Sequence, residues 1–380
     1  MKMRPMHRGN TKNRKIRYAV VGLGHLAQVA VLPGFAGATN SELVALVSGD
    51  SQKARKVARQ YNIDRIYSYN QYEECLGAGI DAVYIVLPNH LHSVFTLRAA
   101  RAGVHILCEK PMAVSSTECR EMIKAARDHK CKLMIAYRLH FEQGNLQAIR
   151  MAQSGKFGEV RYFSSDFSQQ VVADNVRLTQ PTSRGGGPLY DMGVYCINAA
   201  RYLFRAEPEE VIGTVASVNS PKFAKTDEMV SVVMRFPRER IATFTVSFGA
   251  AEMDRYSLVG TKGALTAEPG YEYAGGINLK VQVGEKAQTL KFPKRDQFAA
   301  EISYFSDCIL KNKDPEPSGE EGLADIRIVE AIYKSVSSGK VVNLGKYEKS
   351  KRPSMAQKIT KPPHSKPKTI DVESPSGEAA

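Results

Sequence analysis

The chain has 380 residues, 43% of them hydrophobic, enough to bury two globular cores without a disulfide or metal staple. Its six cysteines (75, 108, 119, 131, 196 and 308) stand apart, with no Cys-x-x-Cys pair and no histidine cluster at zinc spacing, which argues against a disulfide framework or a metal site and fits a reducing compartment. The formal charge of +14 is concentrated at the ends: residues 1–17 carry +7 and residues 340–380 carry +5, leaving +2 for everything between.

Those ends read as solvated, disordered tails, a basic arm over 1–15 and a second tail over 341–380. Lys349–Pro367 is rich in Lys, Pro and Ser but has no aromatic side chain to stack on a base, so nucleic acid is not an expected partner. No apolar run approaches the roughly 18 residues of a membrane span. Met1–Arg17 lacks the apolar stretch of a secretory signal. A soluble, cytoplasmic protein with no membrane partner is the expectation.

From residue 16 the chain alternates short apolar runs with helical patterns, the signature of βαβ units and a parallel sheet. Ile16–Val21 reads as a strand, His25–Ala36 as a helix, Leu43–Val47 as a strand and Ser51–Tyr61 as a helix. Asp81–Leu87 is a strand apolar on both faces. His90–Ala102 (helix), Val104–Leu107 (strand), Ser115–His129 (helix) and Leu133–Tyr137 (strand) follow. Beyond about Val160 the pattern changes. One helix, Leu189–Phe204, precedes alternating runs at Val211–Val218, Met229–Phe236, Ile241–Phe248, Tyr256–Val259 and Leu279–Val283, and helices Phe298–Leu310 and Gly322–Ser337 close the series. This predicts an α/β Rossmann domain with a parallel sheet over 16–138. An α+β domain with an open, mostly antiparallel sheet follows over 139–340, its last helix packing back on the first domain.

Gly22-Leu23-Gly24-His25-Leu26-Ala27 joins the first strand to the first helix. The first glycine permits a tight turn, the second lets backbone approach a pyrophosphate, and Ala27 allows close helix–strand packing, with the helix N-terminus facing the anion. Gly22, Gly24, His25, Leu26 and Ala27 are therefore candidate dinucleotide-binding residues. The second strand ends near Ser48, where an NAD site usually places a carboxylate for the ribose hydroxyls. Ser48 with Lys53 suits a 2′-phosphate, which favours NADP over NAD. Asp50 also reads as the N-cap of the next helix, and Lys53 also reads as a solvated helix charge. Pro88, Asn89 and His92 leave the carboxyl end of a parallel strand toward the nucleotide crevice. Asn89 reads equally well as a helix cap, and His92 as a packed helix residue.

Cys108-Glu109-Lys110-Pro111 lies at the end of the next strand, on the same sheet edge, with the proline fixing where Lys110 points. A local Glu109–Lys110 salt bridge is the alternative. Farther on, Asp191, Tyr195 and Asn198 fall at i, i+4 and i+7 after Gly187-Pro188, one helical face carrying a carboxylate, a phenol and an amide. Gly193 costs about 1 kcal/mol against Ala in a helix and points to close packing there. A tyrosine hydrogen-bonded within a domain interface is the plainer reading of Tyr195.

The set Gly22-x-Gly24-x-x-Ala27, Glu109-Lys110-Pro111 and Asp191-x-Gly193-x-Tyr195-x-x-Asn198 resembles the glucose–fructose oxidoreductase, inositol dehydrogenase and rhizopine-catabolism (Gfo/Idh/MocA) family, and within it the glucose–fructose oxidoreductase branch. The resemblance spans about 16–340. It implies tightly held NADP and hydride transfer between the anomeric carbon of an aldose and nicotinamide, coupled to ketose reduction. A simple aldose dehydrogenase and a non-catalytic dinucleotide-binding regulator are the alternatives. It also implies catalytic roles for Lys110, Tyr195 and Asp191, with Glu109 and Tyr137 on the cofactor side and Arg138, Arg177, Asp191 and Asn198 on the sugar side. Tyr195 stands where most of the family has histidine. A phenol near pKa 10 needs a neighbouring cation to act as a base at neutral pH, and Lys110 is that cation. The family's tryptophan before the pocket arginine is Val176 here, and the chain contains no tryptophan. A homodimer or homotetramer paired through the C-terminal sheet is implied as well.

Overall fold

A computed structural model describes residues 14–349 and 351–376. The predicted basic arm lies almost entirely outside the described residues. Six parallel strands form the first sheet: β1 (Ile16–Val21), β2 (Ser41–Val47), β3 (Arg65–Tyr67), β4 (Ala82–Ile85), β5 (His105–Glu109) and β6 (Leu133–Ala136). Their order is β3-β2-β1-β4-β5-β6, the doubly wound arrangement in which the chain reverses direction beside β1 and β4. Successive side chains of β1 enter different cores. Tyr18 and Val20 pack with the helix Gln297–Leu310, whereas Ala19 and Val21 pack with His92–Arg101 and Ser116–Asp128. A strand buried on both faces reads as a continuous apolar run, which is why the pattern was legible.

The second sheet has nine strands in the order β14-β13-β12-β11-β7-β10-β9-β8-β15. These are β7 (Val160–Ser168), β8 (Glu210–Ala216), β9 (Met229–Phe236), β10 (Arg240–Ser247), β11 (Met253–Gly260), β12 (Gly263–Ala267), β13 (Ile277–Val283), β14 (Lys286–Phe292) and β15 (Val342–Asn343). All pairings are antiparallel except β7 with β10. Along β9, Val230, Val232, Met234 and Phe236 are buried while Met229 and Val233 face outward, the alternation expected of a sheet with one packed face. β3, β7, β12, β14 and β15 lie outside the strands expected from the sequence. β14 shows why, because most of its residues are exposed and its sequence has no apolar alternation.

Both late helices return to the first domain. The Tyr18 hydroxyl lies 2.8 Å from Ser306 Oγ, and a Cβ on Gly322 of the helix Gly319–Ser338 would stand 2.7 Å from Met112 Sδ.

The expectation of a disordered tail over 341–380 requires correction for the described residues. After β15, Lys349 pairs with Glu316 (2.8 Å) and Glu321 (2.6 Å), and Arg352 pairs with Glu207 (2.8 Å). Ile359 and Ile370 then pack against the core of the first domain. The tail cannot build a core of its own, but it borrows one, and acids of the body neutralise part of its charge.

Among the described residues no helix is long and apolar enough to cross a membrane, and no group of His, Cys, Asp or Glu could hold a metal ion.

Candidate active site

A cavity of about 990 Å³ runs along the carboxyl edge of the parallel sheet. Its floor begins at Gly22, whose φ of +97° and whose absent Cβ, which would lie 2.2 Å from the Val86 carbonyl oxygen, admit glycine alone. A Cβ on Gly24 would meet no protein atom within 4 Å, so backbone there faces open cleft. His25 and Leu26 line the cavity, whereas Ala27, also a cofactor candidate, is fully buried and does not line it. Burial, with Arg177 and Lys366 nearby, holds the His25 imidazole below its usual pKa.

Ser48, Asp50 and Lys53 line one end. Asp50 caps the helix Ser51–Tyr61 by accepting from the Gln52 (3.0 Å) and Lys53 (2.9 Å) amides. Pro88 and Asn89 also line the cavity, and Asn89 donates to the Gly185 carbonyl (2.7 Å), tying the first domain to the glycine loop of the second.

At the other end, groups far apart in sequence meet. Lys110 follows β5 and reaches the first turn of the helix 189–204. Its ammonium donates to the Asp191 carbonyl (2.7 Å) and to Asp191 Oδ1 (2.9 Å). Arg177 Nε donates to Asp191 Oδ2 (2.6 Å), so one carboxylate bridges two cations. Burial opposes ionisation of Asp191, but Arg177 and Lys110 outweigh it and hold the carboxyl well below the usual range. Burial likewise works against the Lys110 charge, and Asp191 and Tyr195 together reverse that, holding its pKa above normal. Lys110 Nζ lies 4.6 Å from the Tyr195 ring centre, and the Arg138 guanidinium lies 5.1 Å from the same ring. Gly193 permits this turn because a Cβ there would stand 2.6 Å from Leu189.

Glu109 lies beneath Lys110. The Tyr84 hydroxyl is 2.8 Å from Glu109 Oε1 and 2.6 Å from Glu301 Oε1. One phenol has one proton to give, so a second proton must sit on a carboxyl. Burial beside Glu109 raises Glu301 strongly and makes it the neutral partner.

Three predicted contacts are not made. His92 is fully buried, its ring nitrogens 2.8 Å from the Pro111 and Leu87 carbonyls, where it braces the Lys110–Pro111 turn instead of facing the cavity. Tyr137 is buried and donates to Asp325 Oδ2 (2.7 Å). Asn198 donates to Glu321 (2.7 Å) and Asp325 (3.0 Å) and sits 2.8 Å from His140 Nε2. Tyr137 and Asn198 belong to a buried cluster around Arg201, one or more turns deeper than Tyr195. Arg138 does line the cavity, but its N–H groups are engaged by Gln297 (2.5 Å) and the Tyr271 carbonyl (2.6 Å). It therefore presents its charge to the Tyr195 ring.

Other lining residues escaped the sequence reading. Phe167 and Tyr273 supply aromatic surface beside Tyr195 and Arg138, with Phe167 5.9 Å from the Tyr195 ring, and Val176 is exposed into the same space. Arg184, Lys294 and Arg295 line the cavity and form no salt bridge among the described residues. Only Arg295, just before the N-cap Asp296 of a recognisable helix, had a local signal.

Two family models match the chain. One, described as an oxidoreductase family with an NAD-binding Rossmann fold, covers residues 16–137, and the other, the GFO/IDH/MocA C-terminal domain, covers 145–266. The chain belongs to the GFO/IDH/MocA oxidoreductase family. A D-xylose 1-dehydrogenase (NADP(+)) of Haloarcula marismortui is 30% identical over 87% of this chain and 93% of its own length. A second D-xylose 1-dehydrogenase (NADP(+)), from Haloferax volcanii, is 29% identical over 86% and 99%. Among solved structures, an aldose–aldose oxidoreductase from Caulobacter crescentus complexed with glycerol superposes with a TM-score of 0.83 at 35% identity, covering 87% of this chain and all of that one. A 3-ketoreductase from Actinomadura kijaniata, TM-score 0.78 at 24% identity, shares the fold.

Proposed function

We propose that the chain is a cytoplasmic, NADP-dependent sugar oxidoreductase acting at the anomeric carbon of an aldose, in which the reduced cofactor is reoxidised in place by a second sugar. The convergence of Lys110, Asp191, Arg177 and Tyr195 at one end of a dinucleotide-sized cleft carries this reading. The cleft suits NADP. Backbone at Gly24 faces open space at a helix start, Ser48 and Lys53 replace a ribose carboxylate, and the cavity-lining cations Arg184, Lys294 and Arg295 match a polyanion.

When bound, NADP supplies the hydride acceptor. The protein's own work is proton handling and orientation. Tyr195, as its phenolate, accepts the proton of the anomeric hydroxyl as hydride leaves the anomeric carbon, and Lys110 and Arg138 stand beside the ring that carries the negative charge. Asp191 fixes Lys110 while Arg177 fixes Asp191, so the ammonium is aimed before substrate arrives. In the reverse direction the same phenol returns its proton to a carbonyl oxygen. Relatives support the substrate class: two act on D-xylose with NADP(+), and one couples two aldoses. An outward sheet face carrying Tyr162, Ile212, Val233 and Ile241 supports pairing of two copies.

Native mass spectrometry followed by a panel of aldoses tests the proposal. The expected result is protein carrying NADP that converts an aldose plus a second sugar without added nucleotide. Turnover that requires added NADP would leave a simple aldose dehydrogenase, and no reduction of NADP by any aldose would overturn the reading.

A further inference from the structure

The described C-terminal segment runs along the nucleotide side of the molecule and crosses its cleft. The Lys361 carbonyl accepts from the Asp296 amide (3.2 Å), and His364 bridges Asp296 Oδ2 (2.9 Å) and the Val29 carbonyl (3.1 Å) on the helix after the glycine loop. The buried Gln28 side chain, one turn past Gly24, then grips residue 370 twice. Its Oε1 accepts from the Ile370 amide (2.7 Å) and its Nε2 donates to the Ile370 carbonyl (2.9 Å). Asp371 pairs with Lys56 (2.9 Å) on the helix that follows Ser48. Four residues later the Pro375 carbonyl accepts from the Val172 amide (2.9 Å), which belongs to the second domain. Residues 371–375 thus span from one lip of the cleft to the other, and Val372, Glu373, Ser374 and Pro375 line the cavity beneath. Lys366 sits close enough to oppose protonation of His25 beside the glycine loop.

We infer that residues 361–376 are a strap that closes over bound dinucleotide, so that the cofactor leaves only when the crossing between Asp371 and Pro375 lifts. Ile370 and Gln28 form the fixed end, because one is packed in a core and the other is buried. The crossing itself is held by one surface ion pair and one backbone hydrogen bond, contacts weak enough to open and reclose. This inference rests on the NADP reading above and deepens it: a retained cofactor must be reoxidised by a second carbonyl compound on the same protein.

The test compares the full chain with a chain ending at Ile370, which keeps both anchors and loses the crossing. NADPH release is followed by fluorescence after adding excess unlabelled NADP. The strap predicts release at least tenfold faster from the shortened chain, with an unchanged Tm in the absence of nucleotide. Equal release rates would overturn the strap and leave the cofactor reading standing, whereas absence of NADPH binding by both chains would overturn the two together. The unaltered chain gives a second readout should the shortened one fail to fold. Saturating NADP should slow cleavage after Glu373 by a glutamate-specific protease at least tenfold, and unaffected cleavage would count against closure.

Discussion

The helical run 189–204 serves two charged clusters built from the same residue types, and they behave differently. At its start, Asp191 bridges Lys110 and Arg177 at the cavity wall, with side-chain exposures of 21% for Asp191 and 29% for Arg177. Nearly three turns on, Arg201 is fully buried and donates from each of its three nitrogens: Nε to Glu207 (2.6 Å), Nη1 to Glu321 and Asp325 (2.6 Å each) and Nη2 to Glu207 (3.0 Å). Burial, with Glu321 beside it, pushes Asp325 up to about 7, and burial with Glu321 does the same to Glu316, so both carboxyls are held above their usual range. The first cluster holds charge at a surface a ligand can reach, whereas the second lies buried, joining the two domains through Tyr137 and Asp325 and the C-terminal segment through Lys349 and Arg352. Composition alone does not distinguish them.

Removing Lys110 should have the largest effect. Lys110→Ala takes the cation from beside Tyr195, and kcat for aldose oxidation should fall on the order of 10³-fold with a normal unfolding midpoint. A loss confined to stability would place Lys110 with the inner cluster. Arg201→Met should do the opposite. Removing the guanidinium that Glu207, Glu321 and Asp325 share, which leaves Asp325 with no cation of its own among the described residues, costs about 3–5 kcal/mol in denaturant unfolding, while the folded fraction keeps its kcat. A change below about 1 kcal/mol would show that the cluster is not structural.

The inner cluster also predicts a pH dependence. His140 sits 2.8 Å from Asn198 Oδ1 through Nε2, and its buried Nδ1 has no partner. Burial lowers its pKa to about 4 against 6.5 for the free side chain. The unfolded chain therefore takes up a proton that the folded chain refuses. The contribution is complete above pH 6.5 and is lost as pH falls toward 4, by up to ~3 kcal/mol. His140→Gln should raise the unfolding free energy at pH 5 relative to pH 7 when set against the parent profile, and parallel profiles for the two proteins would contradict the assignment. At the far end of the cleft, Lys53→Ala should weaken NADP about tenfold, near 1.4 kcal/mol, and leave NAD unchanged in titrations of the protein freed of nucleotide. Equal loss for both nucleotides would mean that Lys53 does not read the 2′-phosphate.

What could be read from the sequence followed the reach of each signal. Gly22, Gly24 and Ala27 are constrained by the local turn, and Lys110, Asp191 and Tyr195 each end or begin an element whose edge faces the cleft. Spacing located all of them. Asn198 and Tyr137 were misplaced because their partners, Glu321 and Asp325, arrive on a helix more than a hundred residues later. A shared helical face does not say which neighbour covers its lower half. His92 was ambiguous for the same reason, since only the fold reveals that two carbonyls surround its ring. The tail was misread because Lys, Pro and Ser signal solvation, while two isoleucines and a glutamine from the glycine-loop helix tie it down.

Transfer of label tests the account most directly. With an aldose deuterated at the anomeric carbon, one turnover on the NADP-loaded protein should place deuterium on the reduced nicotinamide, and Tyr195→Phe should slow that transfer by 10²–10⁴-fold without loosening nucleotide binding. Reduced cofactor that carries no deuterium, or a Tyr195→Phe protein that transfers it at the original rate, would contradict the assignment of Tyr195 as the proton acceptor beside Lys110.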